Sequence, residues 1–122
     1  MSAALTDAPF QLPPAPERSD LIAKYFRTLA DPSRLRILQL LKAEGELPVG
    51  EIAARIGISQ PGVSNHLGCL RWCGFVGTRQ EHRTVYNFIA DPRVLSLLEL
   101  GDALLNDNAE HVAICCHTEE NG

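Results

Sequence analysis

Residues 49–72 read VGEIAARIGISQPGVSNHLGCLRW, and this stretch decides the fold. Apolar side chains recur at helical spacing in its first third, which predicts a short helix from about 49 to 56. Gly57 then opens a tight turn. A second helix follows from residue 59 or 60 to about 72, with Pro61 tolerated in its first turn. Helix, glycine-bearing turn and helix together predict a helix-turn-helix.

Two further helices are predicted before this stretch. Ser19 or Asp20 can cap the first of them, which runs to Leu29. The run Asp31-Pro32-Ser33 ends that helix and begins the next one, which closes at Gly45. The inward stripe of this second helix consists of Leu35, Leu38 and Leu41.

A wing and a last helix are predicted after it. Two short strand patterns, Phe75 to Arg79 and Thr84 to Ile89, are joined by the polar residues 80–83, which predicts a hairpin. Asp91-Pro92 then begins a helix that is apolar nearly all round, so a second subunit is its natural cover. The predicted fold is mainly α with a small β-hairpin: a homodimeric winged helix-turn-helix with the element order α-α-α-α-β-β-α.

The chain divides into three parts. Residues 1–18 hold four prolines and little apolar periodicity, which predicts a flexible arm. The winged helix-turn-helix domain, which binds DNA and dimerises, spans residues 19–106. The run Asn106-Asp107-Asn108 interrupts the last helical pattern, and a tail that contains cysteine and histidine covers residues 107–122.

Composition narrows the class of protein. The chain has 122 residues, of which 45% are hydrophobic and 21% charged, as is usual for one globular domain. Its apolar runs fall short of the roughly 20 residues that cross a bilayer, and it begins with no signal-peptide pattern, so we expect a cytoplasmic protein. The net charge of −4 argues against indiscriminate binding to polyanions but permits a local basic surface.

The outward face of the helix at 60–72 is small and polar, which suits a DNA major groove about 12 Å wide. Gln60 and Asn65 can pair with adenine, and Ser64 can contact a base or a phosphate. Basic residues on this helix and the wing can contact phosphates, or they can be solvated surface residues. Trp72 is expected to pack against the wing. The candidate DNA contacts are Ser59, Gln60, Pro61, Ser64, Asn65, His66, Arg71, Arg79, His82 and Arg83.

Four cysteines form the second candidate site. In a reducing compartment they indicate metal ligation, redox sensing or burial rather than structural disulfides. Cys69 and Cys73 lie one helical turn apart, with Cβ atoms about 5 to 6 Å apart, so two thiolates can bind one ion. Either cysteine taken alone is better explained as a small buried hydrophobe, whereas the pair together with two more cysteines in the tail indicates ligation. Cys115 and Cys116 lie in a polar tail that offers no core to bury them, and a tail thiolate would complete a site for soft ions such as Cd(II), Pb(II), Hg(II) or As(III).

Three motifs in this order resemble the ArsR/SmtB family of metal-responsive repressors: residues 30–38 (ADPSRLRIL), 51–53 (EIA) and 59–67 (SQPGVSNHL). The resemblance implies a homodimer with its first and last helices at the interface, bound to an inverted-repeat operator and released by its inducer. Residues 64–74 are similar to the CmtR-like branch, in which two cysteines of the recognition helix join a C-terminal cysteine to bind cadmium or lead. This implies that Cys69, Cys73 and a tail cysteine hold the metal, possibly across subunits.

The sequence therefore predicts a transcriptional repressor that senses a soft metal or metalloid ion, with double-stranded operator DNA as its partner. The alternative is a redox-responsive repressor of the same fold, in which Cys69 or Cys73 pairs with a tail cysteine. An enzyme is not expected, because Cys116 and His117 are sequence neighbours whose side chains seldom point together. Neither a membrane nor an organic substrate is expected as a partner.

Overall fold

The computed structural model describes residues 15–121, and the side chains of residues 15–114. Over this range the chain is a winged helix-turn-helix, as predicted, and most of the predicted arm at 1–18 lies outside it. The elements in chain order are α1 (Arg18–Leu29), α2 (Pro32–Glu44), β1 (Glu46–Pro48), α3 (Val49–Ile56), α4 (Gln60–Trp72), β2 (Val76–Glu81), β3 (Thr84–Ile89) and α5 (Pro92–Asn121).

The first helix begins earlier than predicted. Glu17 is its N-cap residue, and the Asp20 carboxylate accepts a hydrogen bond from the Glu17 backbone N–H at 3.1 Å. The prediction that Ser19 or Asp20 caps this helix is therefore wrong. Asp20 acts from inside the first turn, as the third residue of a capping box does.

One hydrophobic core holds the helices together. The apolar stripe of α4 faces it, as the predicted helix-turn-helix requires, and α2 supplies its centre. Leu35, predicted to lie on the inward stripe of α2, is only half-buried, because Ile37 takes the central place beside Leu38. The most deeply buried side chains are Ile37, Leu38, Leu41, Ile52, Val63, Leu67, Leu70 and Val94.

The wing belongs to a three-stranded antiparallel sheet with the order β1-β3-β2. The sequence did not indicate β1, because three residues ending in Pro48 show no alternation that predicts a strand. It forms through its partner: the buried Asn87 side chain of β3 donates to the Leu47 carbonyl at 3.2 Å. The strand β2 also runs to Glu81, so the predicted linker 80–83 is in fact a two-residue turn at His82 and Arg83. His82 has a φ of +57°, as such tight hairpin turns require.

The last helix breaks where the sequence predicts. Asn108 has non-helical angles, with φ −129° and ψ 21°, and its side-chain amide donates to the Leu104 carbonyl at 3.0 Å. The backbone then resumes as helix to Asn121, so most of segment 107–122 is helical. The side chains of Cys115 and Cys116 lie outside the described range. Within that range no helix is both long and apolar enough to cross a membrane.

The turn after α4 fixes the position of its C-cap residue, Cys73. Phe75 N–H donates to the Leu70 carbonyl and Gly74 N–H to the Arg71 carbonyl, each at 2.9 Å, which is a Schellman motif with Gly74 at a φ of +80°. Cys73 N–H donates to the Cys69 carbonyl at 3.2 Å. The backbone therefore places the two cysteines one turn apart, as predicted.

Replacing Gly74 with alanine is expected to lower the free energy of unfolding by about 1 to 2 kcal/mol, because a side chain at positive φ is strained. A Cβ atom there would meet nothing within 4 Å, so the cost is conformational alone. Urea unfolding measures it. The control is Gly68→Ala inside α4, which should raise stability by about 0.5 to 1 kcal/mol, since alanine favours a helix. Equal effects of the two changes would contradict the explanation.

Candidate DNA interface and thiol site

The start of α4 presents a polar surface to solvent. The Ser59 hydroxyl accepts a hydrogen bond from Gly62 N–H at 3.2 Å and caps the helix. Five of the predicted contacts are exposed in this part of the chain, and two of them, Pro61 and Asn65, lie opposite the buried stripe of the same helix. These exposed residues are Ser59, Gln60, Pro61, Ser64 and Asn65.

The wing places its predicted contacts in two different environments. His82 and Arg83 form the exposed hairpin tip, where both can reach a ligand. Arg79, by contrast, forms a bidentate ion pair with Glu46 and a second pair with Glu81 at 3.3 Å. The hydrogen bonds from Arg79 hold the pKa of Glu46 below its usual value. The Arg79 guanidinium thus ties β1 to the wing in this structure.

Trp72 does not pack against the wing, contrary to the prediction. Its side chain is 92% exposed. Position 72 follows the buried Leu70 by 200° around the helix, so it points away from the core. After the turn at Gly74, the buried Phe75 lies beside Tyr25 of α1, with ring centroids 5.7 Å apart. Arg71, at the same end of α4, is also exposed.

The flank of α4 is bonded to the N-terminal helices through Arg34. Its Nε donates to His66 Nδ1 at 3.2 Å, its Nη2 to Cys69 Sγ at 3.5 Å and its Nη1 to the Thr28 carbonyl at 3.4 Å. His66, a predicted DNA contact, is therefore half-buried and engaged with α2. Arg34 lies within the motif of residues 30–38, but nothing in the local sequence indicated these three partners.

Neither described cysteine forms a disulfide, and both lie on this flank. Cys69 is exposed, and Cys73 is half-buried with its Sγ 3.3 Å from the Thr28 hydroxyl oxygen. Two sulfurs one turn apart, one of them open to solvent, fit a soft metal ion. Among residues 15–114, however, no three side chains of His, Cys, Asp or Glu come together as a metal site. In this arrangement the described residues of one chain bring no third ligand to Cys69 and Cys73.

Asp31 supports the loop that carries this network. Its carboxylate caps α2 by accepting from Ser33 N–H at 2.8 Å and Arg34 N–H at 3.1 Å. The hydrogen bond from the Arg34 backbone is the main cause that lowers the pKa of Asp31 from 3.8. Because folding lowers this pKa, the contribution of the carboxylate to stability is complete above about pH 4 and is lost as pH falls through the folded value.

We expect Asp31→Ala to lower the free energy of unfolding by about 1 kcal/mol at pH 7, the usual effect of losing an N-cap. The difference from the wild type should shrink as pH falls through the folded pKa of Asp31, which lies below 3.8, because the native cap then becomes protonated. Urea unfolding at pH 7 and pH 3 tests this. Asp31→Asn serves as the control, because asparagine caps helices without a charge. A difference that stays constant down to pH 3 would count against a charged cap.

Large apolar side chains stay exposed along α1 and α5. Phe26 is 57% exposed, Leu100 61% and Leu104 64%. A groove of about 520 Å³ between α1, α2 and α5 is lined by these same residues. Contiguous apolar faces of this kind mark an interaction surface. The last helix is thus apolar, as predicted, and in a single chain part of its apolar surface is exposed to solvent.

Known proteins share this architecture. The sequence profile of the bacterial regulatory proteins of the arsR family matches residues 31–78. A probable mercury resistance operon repressor of Streptomyces lividans is 43% identical over 96 residues, which cover 79% of this chain and 76% of that protein. The HTH-type transcriptional regulator CmtR of Mycobacterium tuberculosis is 42% identical over 81 residues, which cover 66% of this chain and 68% of CmtR.

A solved structure of a winged helix-turn-helix domain is also similar to this chain. The homodimeric winged helix-turn-helix DNA-binding domain of a Mycobacterium bovis protein has a TM-score of 0.69 to this chain at 32% identity. The match covers 82% of this chain and 95% of that domain. With its helix-turn-helix, its wing and these relatives, the chain belongs to the arsR family of bacterial regulatory proteins and is a transcriptional regulator rather than an enzyme.

Proposed function

We propose that the protein is a metal-sensing repressor, which binds an inverted-repeat operator as a homodimer and leaves it when thiolates coordinate a soft ion. The observation that carries the proposal is the place of Cys69 and Cys73 on the flank of α4. The same helix presents Gln60, Ser64 and Asn65 to solvent. One helix would thus carry both the ion and the DNA contacts. We expect the regulator to act in the cytoplasm.

The uncovered apolar faces of α1 and α5 support a homodimer. Phe26 and Leu104 project from these two helices and are more than half exposed in the single chain. The related Mycobacterium bovis domain is homodimeric. A two-fold dimer would present two copies of α4 to half-sites about one helical turn of DNA apart, which matches an inverted repeat.

DNA contacts are assigned to α4 and the tip of the wing. Gln60 and Asn65 would read adenine edges, with Ser64 on a base or a phosphate. His82 and Arg83 would reach the adjacent backbone or minor groove. The remaining proposed contacts are less direct in this structure, because Arg79 pairs with Glu46 and His66 with Arg34. Those two would contact DNA only after exchanging their present partners. Arg71, Pro61 and Ser59 complete the proposed interface.

The proposed inducer is a soft metal or metalloid ion. Cys69 and Cys73 supply two sulfurs, and Cys115 or Cys116 would supply the third ligand, from the same subunit or its partner. Sulfur ligands favour Cd(II) or Pb(II), with Hg(II) and As(III) as further candidates, over magnesium or calcium. A relative from Streptomyces lividans is a probable mercury resistance operon repressor, which fits this class of ion. Arg34 beside Cys69 would help to balance the negative charge of the thiolates.

Release follows from linkage between the two sites. If the ion binds the DNA-free protein more tightly than the DNA-bound protein, operator affinity falls by the same factor. A coupling of about 1 to 3 kcal/mol corresponds to roughly 5-fold to 150-fold. Ordering of the tail around the ion would add to this effect.

The test is a titration of the reduced protein on a fluorescent inverted-repeat operator with Cd(II), Pb(II), Hg(II), As(III) and Zn(II). Anisotropy follows DNA binding, and ultraviolet absorption follows sulfur-to-metal bonds. We expect loss of DNA binding in step with thiolate absorption for at least one soft ion. Thiolate absorption without release would refute the sensing function and leave a structural metal site.

A redox-responsive repressor is the second candidate. It is favoured by Cys69, an exposed thiol beside the Arg34 guanidinium, since reactive cysteines lie in exposed, positively charged surroundings. In that case diamide without metal would weaken operator binding, and a disulfide would appear in the mass spectrum. Diamide without effect, together with release by metal, would exclude it.

A further inference from the structure

Arg79 lies at the base of the part of the wing that projects from the sheet. Strand β1 ends at Pro48, which pairs with Tyr86 of β3, and Arg79 of β2 pairs with Tyr86 from the other side. Towards the turn, β2 and β3 continue as a two-stranded ribbon, whose tip carries Arg83. Two strands by themselves are marginally stable. The orientation of the tip therefore depends on what fixes the ribbon at its base.

The Arg79 side chain crosses the sheet at that point and joins its two outer strands. Its guanidinium lies 4.6 Å from the centroid of the Tyr86 ring on the middle strand. Nε donates to Glu46 Oε2 on β1 at 2.8 Å, and Nη2 donates to the other oxygen of the same carboxylate. Nη1 donates to Glu81 on β2 at 3.3 Å. Because β1 leads directly into α3, this network ties the wing to the helix-turn-helix.

The charges around Arg79 oppose its transfer to a phosphate. One guanidinium pairs with two carboxylates, those of Glu46 and Glu81. If Arg79 turned to the DNA, both carboxylates would be left unpaired near a polyanion, and like charges brought together at an interface are costly. His82 and Arg83 remain the exposed residues of the tip.

We propose that Arg79 is a positioning residue, which through Glu46 holds the wing at the angle at which Arg83 reaches the operator, and which keeps its partners when DNA binds. The inference rests on the proposed operator binding and gives Arg79 an indirect role in it. Loss of either partner frees the ribbon at its base, so that Arg83 meets the DNA in fewer of the orientations the wing adopts. Glu46, although acidic, thus favours binding to a polyanion.

Glu46→Gln tests the inference, because a positioning role and a phosphate contact of Arg79 predict opposite effects. With a positioning role, metal-free affinity for the fluorescent inverted-repeat operator should fall by about 2-fold to 5-fold, the range of an exposed ion pair. Arg79→Gln should lower it by a similar factor, and the double variant should bind no more weakly than the weaker single variant. If Glu46 instead competes with phosphate for Arg79, Glu46→Gln would raise the affinity and overturn the inference.

Glu44→Gln is the matched control for the change in charge. Glu44 pairs with Arg55 at 3.2 Å, and neither residue belongs to the sheet. This variant should not lower operator affinity. A fall as large as that of Glu46→Gln would overturn the inference, because the effect would then not depend on the wing.

Arg83→Ala tests whether Arg79 acts through the tip. In that background Arg79→Gln should lower operator affinity by a smaller factor than in the wild type, and equal factors would overturn the inference. Urea unfolding separates this role from support of the fold: variants that lose stability but keep full operator affinity would also overturn it. Should Arg79→Gln not fold, Arg79→Lys is the milder change, since an ammonium lacks the planar fork that binds both carboxylate oxygens. A wild-type protein that binds no operator refutes the proposed function itself, whatever the variants do.

Discussion

Replacing both Cys69 and Cys73 with serine should abolish release from the operator by soft metals. The ratio of metal-free to metal-loaded operator affinity is expected to fall from roughly 5-fold to 150-fold, the usual range of such coupling, to one. Serine is a poor ligand for soft ions, so the sulfur-to-metal absorption should vanish as well. Anisotropy and absorption measured on one sample give both results.

Metal-free operator affinity of this double variant should stay close to that of the wild type. Neither cysteine is among the proposed DNA contacts, and a serine at 73 can still form a hydrogen bond with the Thr28 hydroxyl. The control is Cys115→Ser with Cys116→Ser, which should weaken metal binding without abolishing it if the tail supplies the third ligand. A Cys69→Ser, Cys73→Ser protein that metal still releases would refute the thiol-sensing mechanism.

Phe26→Asp should convert the protein to a monomer and lower operator affinity by about 10²-fold to 10⁴-fold, the range gained when two binding modules are linked. An aspartate buried in an apolar interface is left without a partner, which disfavours the dimer strongly. The single chain should remain folded, because Phe26 is already 57% exposed there. Sedimentation equilibrium measures the oligomeric state, and anisotropy the loss of DNA binding.

Val85→Asp is the control for this change. Val85 is 44% exposed on the wing, so it tests whether any new charge on an exposed apolar residue alters assembly. We expect it to leave the dimer intact. A Phe26→Asp protein that still sediments as a dimer would show that α1 lies outside the interface.

The sequence could predict those parts of the fold that local signals determine. The bounds of α3 and α4 follow from the glycine turn and from Ser59, whose hydroxyl caps the helix next to it. The stop between α1 and α2 follows from Asp31 in the same way. Such caps act within four residues, so they can be recognised in the sequence alone.

Features that depend on contacts between distant segments could not be predicted. The strand β1 exists because β3 pairs with it 40 residues later. The residues that contact Cys69 and Cys73 also come from distant parts of the chain. Arg34 reaches Cys69 across 35 positions and Thr28 reaches Cys73 across 45, so these contacts follow only from how the helices cross.

The partners of Arg79 could not be predicted from the sequence either. A basic residue on a wing indicates a phosphate contact or a solvated surface residue. In the structure its guanidinium lies 4.6 Å above the Tyr86 ring and pairs with Glu46, whose strand was not predicted. Because the sequence did not predict β1, it could not predict that Glu46 lies beside Arg79.

The exposed indole of Trp72 makes the order of events during induction measurable. It is the single tryptophan of the chain and the immediate neighbour of Cys73. A heavy ion bound to that sulfur would quench its emission, whereas a dye on the operator would report only the departure of the protein. After rapid mixing, the tryptophan emission would give the rate of metal binding, and the dye would give the rate of DNA release. Comparison of the two rates would distinguish two cases. In one, the ion binds the DNA-bound regulator and then releases it; in the other, the ion binds only regulator that has already dissociated from DNA.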